Sequence, residues 1–514
     1  MTPASQSETT QQGPRGPLAV VIVGAGFAGI GAAAELRRRG ITNFTILERA
    51  DEVGGVWRDN TYPGCQCDVP SSLYSFSFLP KHDWSDRFAT QPEIQQYLRD
   101  AVRHLDLEPR IEFGRDVSQV QWDVDAQLWT VSIAGGESLR ARMVIVGSGT
   151  LNEPSIPKFD GLADFSGELF HSADWPADFD PSGKRIAVIG TGASAVQFVP
   201  KIAEAALSVT VFQRTAPWVL PRGDRSVPRW QQQLNGRVPA AMSVTRGVDF
   251  LRRELLTNSF VRSGRMLSLI ERTGRRHINS QIADPSLRAL VTPEFRAGCK
   301  RLLMSDTWYP TLTRPNVTLT TTPISHFTST SVVTRHGPGG SADHDTTVGP
   351  IEVDVIVLAT GFRVQRRSIL SVIVGTDGDS MAAAMFKTAP TAYLGSTLPG
   401  FPNLVLMTGP NTGLANNSML LMIEAQARYA ADMASYLDRN PDAALDVRSA
   451  VMESFTSELE ERLGHSVWAD GGCASWYQDA HGRVTALWPG TTTEFRRRTR
   501  EISLADYRVL SRPQ

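Results

Sequence analysis

Two glycine-rich turns, each between a short apolar run and a helix-forming stretch, constrain the fold of this chain more than any other feature. The first follows Ala19-Val-Val-Ile-Val and the second follows Arg185-Ile-Ala-Val-Ile. Glycine lets the backbone approach a pyrophosphate, and the N-terminus of the following helix supplies N–H donors and partial positive charge. We therefore predict two dinucleotide-binding units. The glycines of these turns are Gly24, Gly26, Gly29, Gly190 and Gly192.

Further short apolar runs that end in glycine, at 143–147 and 353–361, are typical of parallel strands buried on both faces. Together with the turns they predict an α/β fold with two Rossmann-like dinucleotide-binding domains. Residues such as 248–256 follow a helical pattern and indicate a helical insertion. The predicted boundaries are 1–17 for a disordered tail, 18–150 and 381–514 for the first nucleotide domain, 151–183 for a linker, 184–228 and 304–380 for the second nucleotide domain, 229–303 for the helical insertion, and 336–349 for an exposed hairpin loop within the second domain.

Charge and cysteine content narrow the function classes. The chain has 52 Lys and Arg against 53 Asp and Glu, so it offers no broad positive field for a nucleic acid or an anionic membrane surface. Small-molecule partners are expected, with no nucleic acid and no membrane span. Four cysteines form too few disulfides to stabilise a secreted chain of this length, so we predict a cytoplasmic protein with reduced thiols. Cys65-Gln-Cys67 has neither zinc-finger nor CxxC spacing, and we predict no metal site.

The residue that follows each second strand predicts which nucleotide is bound. Glu48 follows the run Thr45-Ile-Leu. Its distance in sequence from Gly29, the last glycine of the first turn, is close to the spacing of about 20 residues at which a carboxylate binds ribose hydroxyls. In the second unit, Gln213 and Arg214 occupy the place of that acid. Arginine can pair with a 2′-phosphate that a carboxylate would repel, so the second site is predicted to prefer NADPH to NADH.

Beyond these turns the chain resembles a known flavoprotein family. A second glycine pair at 54–55 and the later turn at Ala359 resemble the two-dinucleotide flavoproteins, in which the first unit binds FAD. Disulfide reductases share this start but need a CxxxxC pair that is missing here. Residues 54–68 match GGxWxxxxYPGxxxD, and residues 165–176 match FxGxxxHxxxWP, so the chain is similar to type I Baeyer–Villiger monooxygenases over nearly its whole length. The second motif comprises Phe165, Gly167, His171 and Trp175.

The resemblance implies a reaction and roles for two side chains. NADPH would reduce FAD, oxygen would form a C4a-peroxide on it, and this oxidant would convert a ketone to an ester or lactone. Arg301 matches an arginine over the flavin, where its charge would stabilise anionic oxygen. Asp68 matches a carboxylate that orients this arginine. His171 belongs to a linker that couples domain movement, and no catalytic role is assigned to it.

The resemblance also implies contacts to each cofactor and to the substrate. Trp476 is similar to the family's mobile-loop tryptophan and is expected near the substrate. Relatives commonly have Gly-His where this chain has Ala415-Asn416, a departure that affects local substrate contacts. The remaining residues implied to bind FAD are Gly55, Trp57, Tyr74 and Met419, and those implied to bind NADPH are Thr191, Ser194, Gln197, Thr215 and Lys300.

Two other functions fit part of these observations. A heteroatom monooxygenase would use the same oxidant on sulfur or nitrogen, and the motifs make it the second choice. A nucleotide-binding sensor without turnover would explain both glycine turns but neither Arg301 nor Asp68. A ketone-dependent consumption of NADPH by a yellow protein would separate the three.

Overall fold

A computed structural model describes residues 16–261, 264–335, 347–387 and 389–512. Residues 1–15 of the predicted N-terminal tail lie outside these ranges, as do residues 336–346 of the predicted hairpin loop. The predicted α/β class with two Rossmann-like sheets is confirmed.

The first sheet has eight strands and a parallel centre. Its central strand is buried on both faces because each residue from Val20 to Val23 is apolar. In order across the sheet, the strands are Ile373–Val374, Val117–Asp123, Leu128–Ile133, Ser138–Val146, Leu18–Val23, Phe44–Leu47 and Ile111–Glu112. An eighth strand, Leu404–Leu406, pairs in parallel with the second half of Ser138–Val146, where the antiparallel strand Leu128–Ile133 no longer runs beside it.

Helices cover the first sheet and come from both ends of the chain. Helix Phe27–Arg38 lies against helix Met419–Arg439, and small residues let the two approach closely. A Cβ on Gly31 would stand only 3.5 Å from a methyl group of Ile423. The other helices outside the second sheet and the insertion are Val56–Asp59, Gln91–His104, Ile369–Val372, Met381–Met385, Ser449–Gly464, Val467–Asp470 and Thr492–Arg498.

The second sheet has five strands, all parallel. In order they are Val317–Thr320, Ser208–Phe212, Arg185–Ile189, Val355–Leu358 and Glu168–His171. Its helices are Ala193–Ile202 and Trp308–Leu312. The smaller sheets comprise the antiparallel strands Ile324–Phe327, Ser331–Arg335 and Thr347–Glu352, the parallel pair Val219–Leu220 and Leu303–Met304, and the antiparallel pair Ala443–Val447 and Tyr507–Ser511.

Four helices occupy most of the predicted insertion. They are Arg229–Arg237, Pro239–Val261, Arg265–Gln281 and Pro285–Val291. Residues 292–302 are not helical, and they lead Lys300 and Arg301 to the short strand Leu303–Met304.

Two segments depart from the predicted boundaries. Strand Glu168–His171 lies within the stretch predicted to be a linker, yet it forms the edge of the second sheet beside Val355–Leu358. Strand Ile373–Val374, predicted in the second domain, instead pairs with Val117–Asp123 of the first sheet. Both segments are short edge strands, whose pairing depends on distant residues rather than on a long apolar run of their own.

The prediction that all thiols are reduced is wrong. Cys299 and Cys473 form a disulfide across 174 residues of sequence. The sequence gave no sign that these two cysteines pair, because only the folded chain brings their two segments together. Cys65 and Cys67 are free and buried, and burial raises the pKa of Cys65 to about 11.

The turn at Gly29 yields a stability prediction. In Gly29→Ala the new Cβ would lie 1.8 Å from the carbonyl oxygen of Gly24, so the backbone must shift. We expect a loss of about 1–3 kcal/mol in the free energy of unfolding, measured by chemical denaturation. Gly236→Ala is the control, because this helical position has nothing within 4 Å of an added Cβ. Equal stability of Gly29→Ala and the parent protein would contradict this close packing.

Candidate functional site

The first glycine turn is closed tightly by neighbouring backbone. Gly24 has a φ of 98°, and a Cβ there would stand 2.9 Å from the carbonyl oxygen of Gly147. Gly26 precedes helix Phe27–Arg38, and a Cβ on Gly55 would stand 3.4 Å from the Cα of Gly26. Two backbone segments therefore lie against each other at this turn with no side chain between them, and a glycine backbone of this kind lets a diphosphate approach closely.

Glu48 lies at the end of strand Phe44–Leu47, as predicted, and it is almost fully buried. Its Oε2 accepts the N–H of Ala25 at 2.8 Å, within the glycine turn. Its Oε1 accepts from the Arg58 guanidinium at 3.0 Å. Its Oε1 also accepts the N–H of Ala50 at 3.1 Å. The carboxylate is thus fixed beside the turn, with an acceptor position of Oε2 left for a ribose hydroxyl.

The second turn is equally constrained on its sheet side and open on the other. A Cβ on Gly190 would stand 2.5 Å from the carbonyl oxygen of Ala359, so these two predicted residues are in contact. Gly192 precedes helix Ala193–Ile202, and an added Cβ there would have nothing within 4 Å. This open N-terminus of a helix provides the N–H donors that an anion binds.

Two cations lie together beside this turn. Arg214 is exposed and forms no ion pair within the described residues. Lys300 Nζ donates to Thr215 Oγ1 at 2.7 Å, one residue from Arg214. Burial and then the positive charge of Arg214 lower the pKa of Lys300. Because like charges repel, an anionic ligand between Arg214 and Lys300 would be stabilised by both.

A cavity of about 1070 Å³ brings most of the predicted residues together. The first glycine turn, Glu48 and the residues of the FxGxxxHxxxWP motif do not line it. The predicted residues that do line it are Trp57, Asp68, Tyr74, Gly190, Thr191, Gly192, Ser194, Gln197, Arg214, Thr215, Lys300, Arg301, Ala359, Met419 and Trp476.

Asp68 and Arg301 form a bidentate ion pair on the wall of this cavity. Arg301 Nε donates to Oδ2 at 3.0 Å, and Nη2 donates to Oδ1 at 2.8 Å. Burial opposes ionisation of Asp68, but the charge and hydrogen bonds of Arg301 hold its pKa below the usual value. The negative charge of Asp68 in turn raises the pKa of Arg301. Arg301 is therefore a permanently charged and oriented cation at the cavity.

Aromatic and helical residues form the rest of the predicted flavin side. Trp57 Nε1 donates to the hydroxyl of Tyr74 at 3.0 Å, and their rings meet edge to face. Burial raises the pKa of Tyr74 well above its usual value, so the phenol stays neutral. Met419 begins helix Met419–Arg439, which Ser418 caps by accepting the N–H of Leu420. Trp476 is 44% exposed and packs edge to face on Tyr477.

Gln197 has a role that sequence reasoning did not assign. Its Oε1 accepts the hydroxyl of Tyr62 at 3.0 Å, and its Nε2 donates to the carbonyl oxygen of Gln66 at 2.9 Å. Gln197 therefore ties the helix of the second turn to the segment that carries Asp68.

The FxGxxxHxxxWP motif forms an edge of the second sheet. A Cβ on Gly167 would stand 2.3 Å from the carbonyl oxygen of Asp354, and the same Cβ would meet the ring of Phe165. His171 is buried at the end of its strand, and burial lowers its pKa, which keeps the imidazole neutral near pH 7. Trp175 packs on Phe198, on the helix of the second turn. The motif thus packs against the elements that carry the second glycine turn.

Sequence reasoning missed two buried groups near the cavity. Arg367 lines it and donates to the carbonyl oxygen of Gly149 at 3.0 Å, and burial lowers its pKa to about 10. In the sequence it follows another arginine and gives no sign of burial. Tyr477 is fully buried, and burial raises its pKa to about 12; its oxygen interacts with the charge of Arg301. Its only signal was its position next to Trp476.

The described residues contain neither a candidate membrane span nor a candidate metal site. No helix in them is both long and apolar enough to cross a membrane. No group of three or more His, Cys, Asp or Glu side chains in the same ranges could hold a metal ion.

The chain is similar to several known proteins. Residues 21–245 match the pyridine nucleotide-disulphide oxidoreductase family. A Baeyer-Villiger monooxygenase of Streptomyces coelicolor is 43% identical over 492 residues, which cover 96% of this chain and 92% of that protein. Another from Pseudomonas aeruginosa is 40% identical over 495 residues, with 96% and 92% covered. The structure of OTEMO in complex with FAD and NADP superposes with a TM-score of 0.83 at 25% identity, over 96% of this chain and all of that one.

The unpaired cation at residue 214 yields a prediction on coenzyme choice. In Arg214→Asp we expect the KM for NADPH to rise by about tenfold or more, with little change for NADH, because a charge-assisted partner of the 2′-phosphate is replaced by a repelling group. Steady-state kinetics with both coenzymes measure this ratio. Arg335→Asp is the control, since Arg335 is exposed on another strand and does not line the cavity. An unchanged ratio in Arg214→Asp would contradict the assignment.

Proposed function

The chain belongs to the Baeyer–Villiger monooxygenases, and we propose how its own residues divide the work of converting a ketone to an ester or lactone with NADPH, FAD and molecular oxygen. When bound, FAD that NADPH has reduced activates oxygen and supplies the oxygen atom for insertion. The relatives do not favour oxidation at sulfur or nitrogen.

The first glycine turn and Glu48 are proposed to hold FAD. No side chain stands between the facing backbones of Gly26 and Gly55, which suits the close backbone approach that a diphosphate needs, and Glu48 is fixed beside the same turn. Trp57, Tyr74 and Met419 would then bound the flavin side of the cavity. This assignment fits the residues present, since the turn has no side chains at its glycines and Glu48 offers a carboxylate beside it.

The second turn is proposed to hold NADPH. Gly190 and Gly192 give the backbone access that a diphosphate needs, and Thr191 and Ser194 line the same cavity. Arg214 and Lys300 supply two positive charges that lack a carboxylate partner within the described ranges. A 2′-phosphate is the group that would neutralise both. The second sheet, including strand Glu168–His171, would thus form the NADP-binding domain, and the first sheet would form the FAD-binding domain.

The Asp68–Arg301 pair is the observation that carries the proposed catalytic role. An arginine fixed by both oxygens of a carboxylate cannot turn away from the cavity, and its charge persists at any physiological pH. Negative charge that develops on oxygen during the transfer would be stabilised there without reorientation of the side chain. Asp68 is a positioning residue in this scheme, whereas Arg301 is the catalytic residue.

The lining of the cavity includes the loop that carries Trp476. The Cys299–Cys473 disulfide joins this loop to the segment of Arg301. We propose that Trp476 contacts the ketone and limits the entry of water, since its half-exposed ring borders the cavity. A cytoplasmic location stays a prediction.

Replacement of Arg301 by alanine tests the proposed role. We expect Arg301→Ala to retain FAD and to oxidise NADPH, while ester formation falls by about two orders of magnitude or more, the effect of losing an oxyanion partner. The NADPH electrons should then appear as hydrogen peroxide. Ester by mass spectrometry, peroxide and NADPH are measured in one reaction, so that the yield of ester per NADPH is obtained.

The control for this experiment is Arg296→Ala. Arg296 is exposed, pairs with Glu271 and lies in the same non-helical segment as Arg301. This variant should leave the ester yield per NADPH unchanged. Ester formation by Arg301→Ala at the parent rate would disprove the role of Arg301. Failure of the parent protein to form an ester from any of a panel of cyclic, linear, aromatic and steroid ketones would contradict the proposed reaction itself.

A further inference from the structure

The longest helix of the insertion, Pro239–Val261, has its polar face turned inward. Arg246 donates to the carbonyl oxygens of Ser72 and Ser75 at 2.9 and 3.1 Å. Asp249 accepts the hydroxyl of Ser72 at 2.6 Å, and Arg253 donates to the carbonyl oxygen of Asn416. These side chains recur at helical spacing, so one face of the helix is polar and is held by the loops beside the cavity.

The opposite face is apolar and points outward. Val244, Val248, Leu251 and Leu255 are 65%, 43%, 57% and 67% exposed. Steps of four, three and four residues place them on one stripe of the helix. A helix at the surface of a water-soluble domain has the reverse arrangement, with its apolar stripe inward. This outward stripe therefore fits an apolar environment rather than water.

Neighbouring helices extend the apolar surface. Helix Arg229–Arg237 and the residue after it expose Trp230, Leu234 and Val238, and helix Arg265–Gln281 exposes Met266 and Leu269. Nine of the nineteen large apolar side chains that are exposed in the described part of the chain thus lie between residues 230 and 269. Such a concentration marks an interaction site, whereas isolated exposed apolar residues do not.

The same segment is strongly basic. Residues 229–281 contain ten arginines and three acidic residues, although the whole chain has a net charge of −1. Arg229, Arg237, Arg252 and Arg272 are exposed and form no ion pair within the described ranges. The balanced composition therefore conceals a local positive field beside the apolar stripe.

We propose that this basic apolar surface, formed by residues 229–261 and 264–281, binds the surface of an anionic lipid bilayer. Apolar side chains on one helix face, flanked by arginines, are what a helix lying in the headgroup region requires. A second copy of the chain fits less well, because two such surfaces would bring their unpaired arginines together. The inner face of the helix contacts loops next to the cavity, so a ketone dissolved in the lipid would lie close to the site. The lipid binding itself does not depend on the proposed reaction.

Vesicle co-sedimentation of the FAD-loaded protein tests the proposal. We expect binding to vesicles of phosphatidylcholine with phosphatidylglycerol, weaker binding to phosphatidylcholine alone, and a decrease with added salt. The variant Leu251→Asn with Leu255→Asn should lower the partition coefficient by about tenfold or more, because two exposed apolar side chains that would enter the bilayer are replaced by polar ones. Leu207→Asn with Val509→Asn is the control, since these residues are 62% and 47% exposed elsewhere.

A second variant tests the charges alone. Arg229→Gln with Arg237→Gln and Arg252→Gln should weaken binding to the anionic vesicles and leave binding to neutral vesicles unchanged. All variants should retain the flavin absorbance of the parent protein and its rate with a water-soluble ketone. The proposal is overturned if the parent protein does not bind anionic vesicles, or if the leucine variant and its control bind equally. It is also overturned if sedimentation analysis finds that the parent protein is a dimer and the leucine variant a monomer, while neither protein binds vesicles. That result would assign the surface to contact with a second copy of the chain.

Discussion

The pairing of Asp68 with Arg301 is the interaction on which the arrangement of this molecule depends. A partly buried carboxylate is tolerated only when a cation compensates it, and here the two partners are 233 residues apart. The pair fixes the segment after the first nucleotide turn against the segment that leaves the helical insertion. Gln197 adds a neutral link from the second turn to the same region, through Tyr62 and the backbone of Gln66. One charged contact and one amide therefore hold three distant parts of the chain around one cavity.

Local signals in the sequence were sufficient to predict both glycine turns. A glycine turn can be recognised in the sequence because the need for glycine arises within the turn itself. Gly24 has a positive φ, and Gly29 has no space for a side chain. The place of Arg214 after its strand could be read for the same reason. Motif resemblance then added Asp68 and Arg301, whose pairing no local pattern contains.

Features that depend on contacts between residues far apart in the sequence could not be predicted. The disulfide between Cys299 and Cys473 exists because the fold brings two loops together, and Arg367 is buried by residues far from it in sequence. Strand Glu168–His171 is too short to stand out from a linker. Whole-chain charge was misleading in another way, since a sum near zero says nothing about where the charges lie.

The order of strands in the first sheet has a consequence for synthesis of the protein. Strand Leu404–Leu406 completes the sheet on Ser138–Val146, and helix Met419–Arg439 covers helix Phe27–Arg38. The second sheet, by contrast, has its last strand at Val355–Leu358. Domains generally fold as units while the chain emerges from the ribosome. The unit that starts later can therefore be completed first, and the N-terminal unit stays incomplete until helix Met419–Arg439 has been made to cover helix Phe27–Arg38.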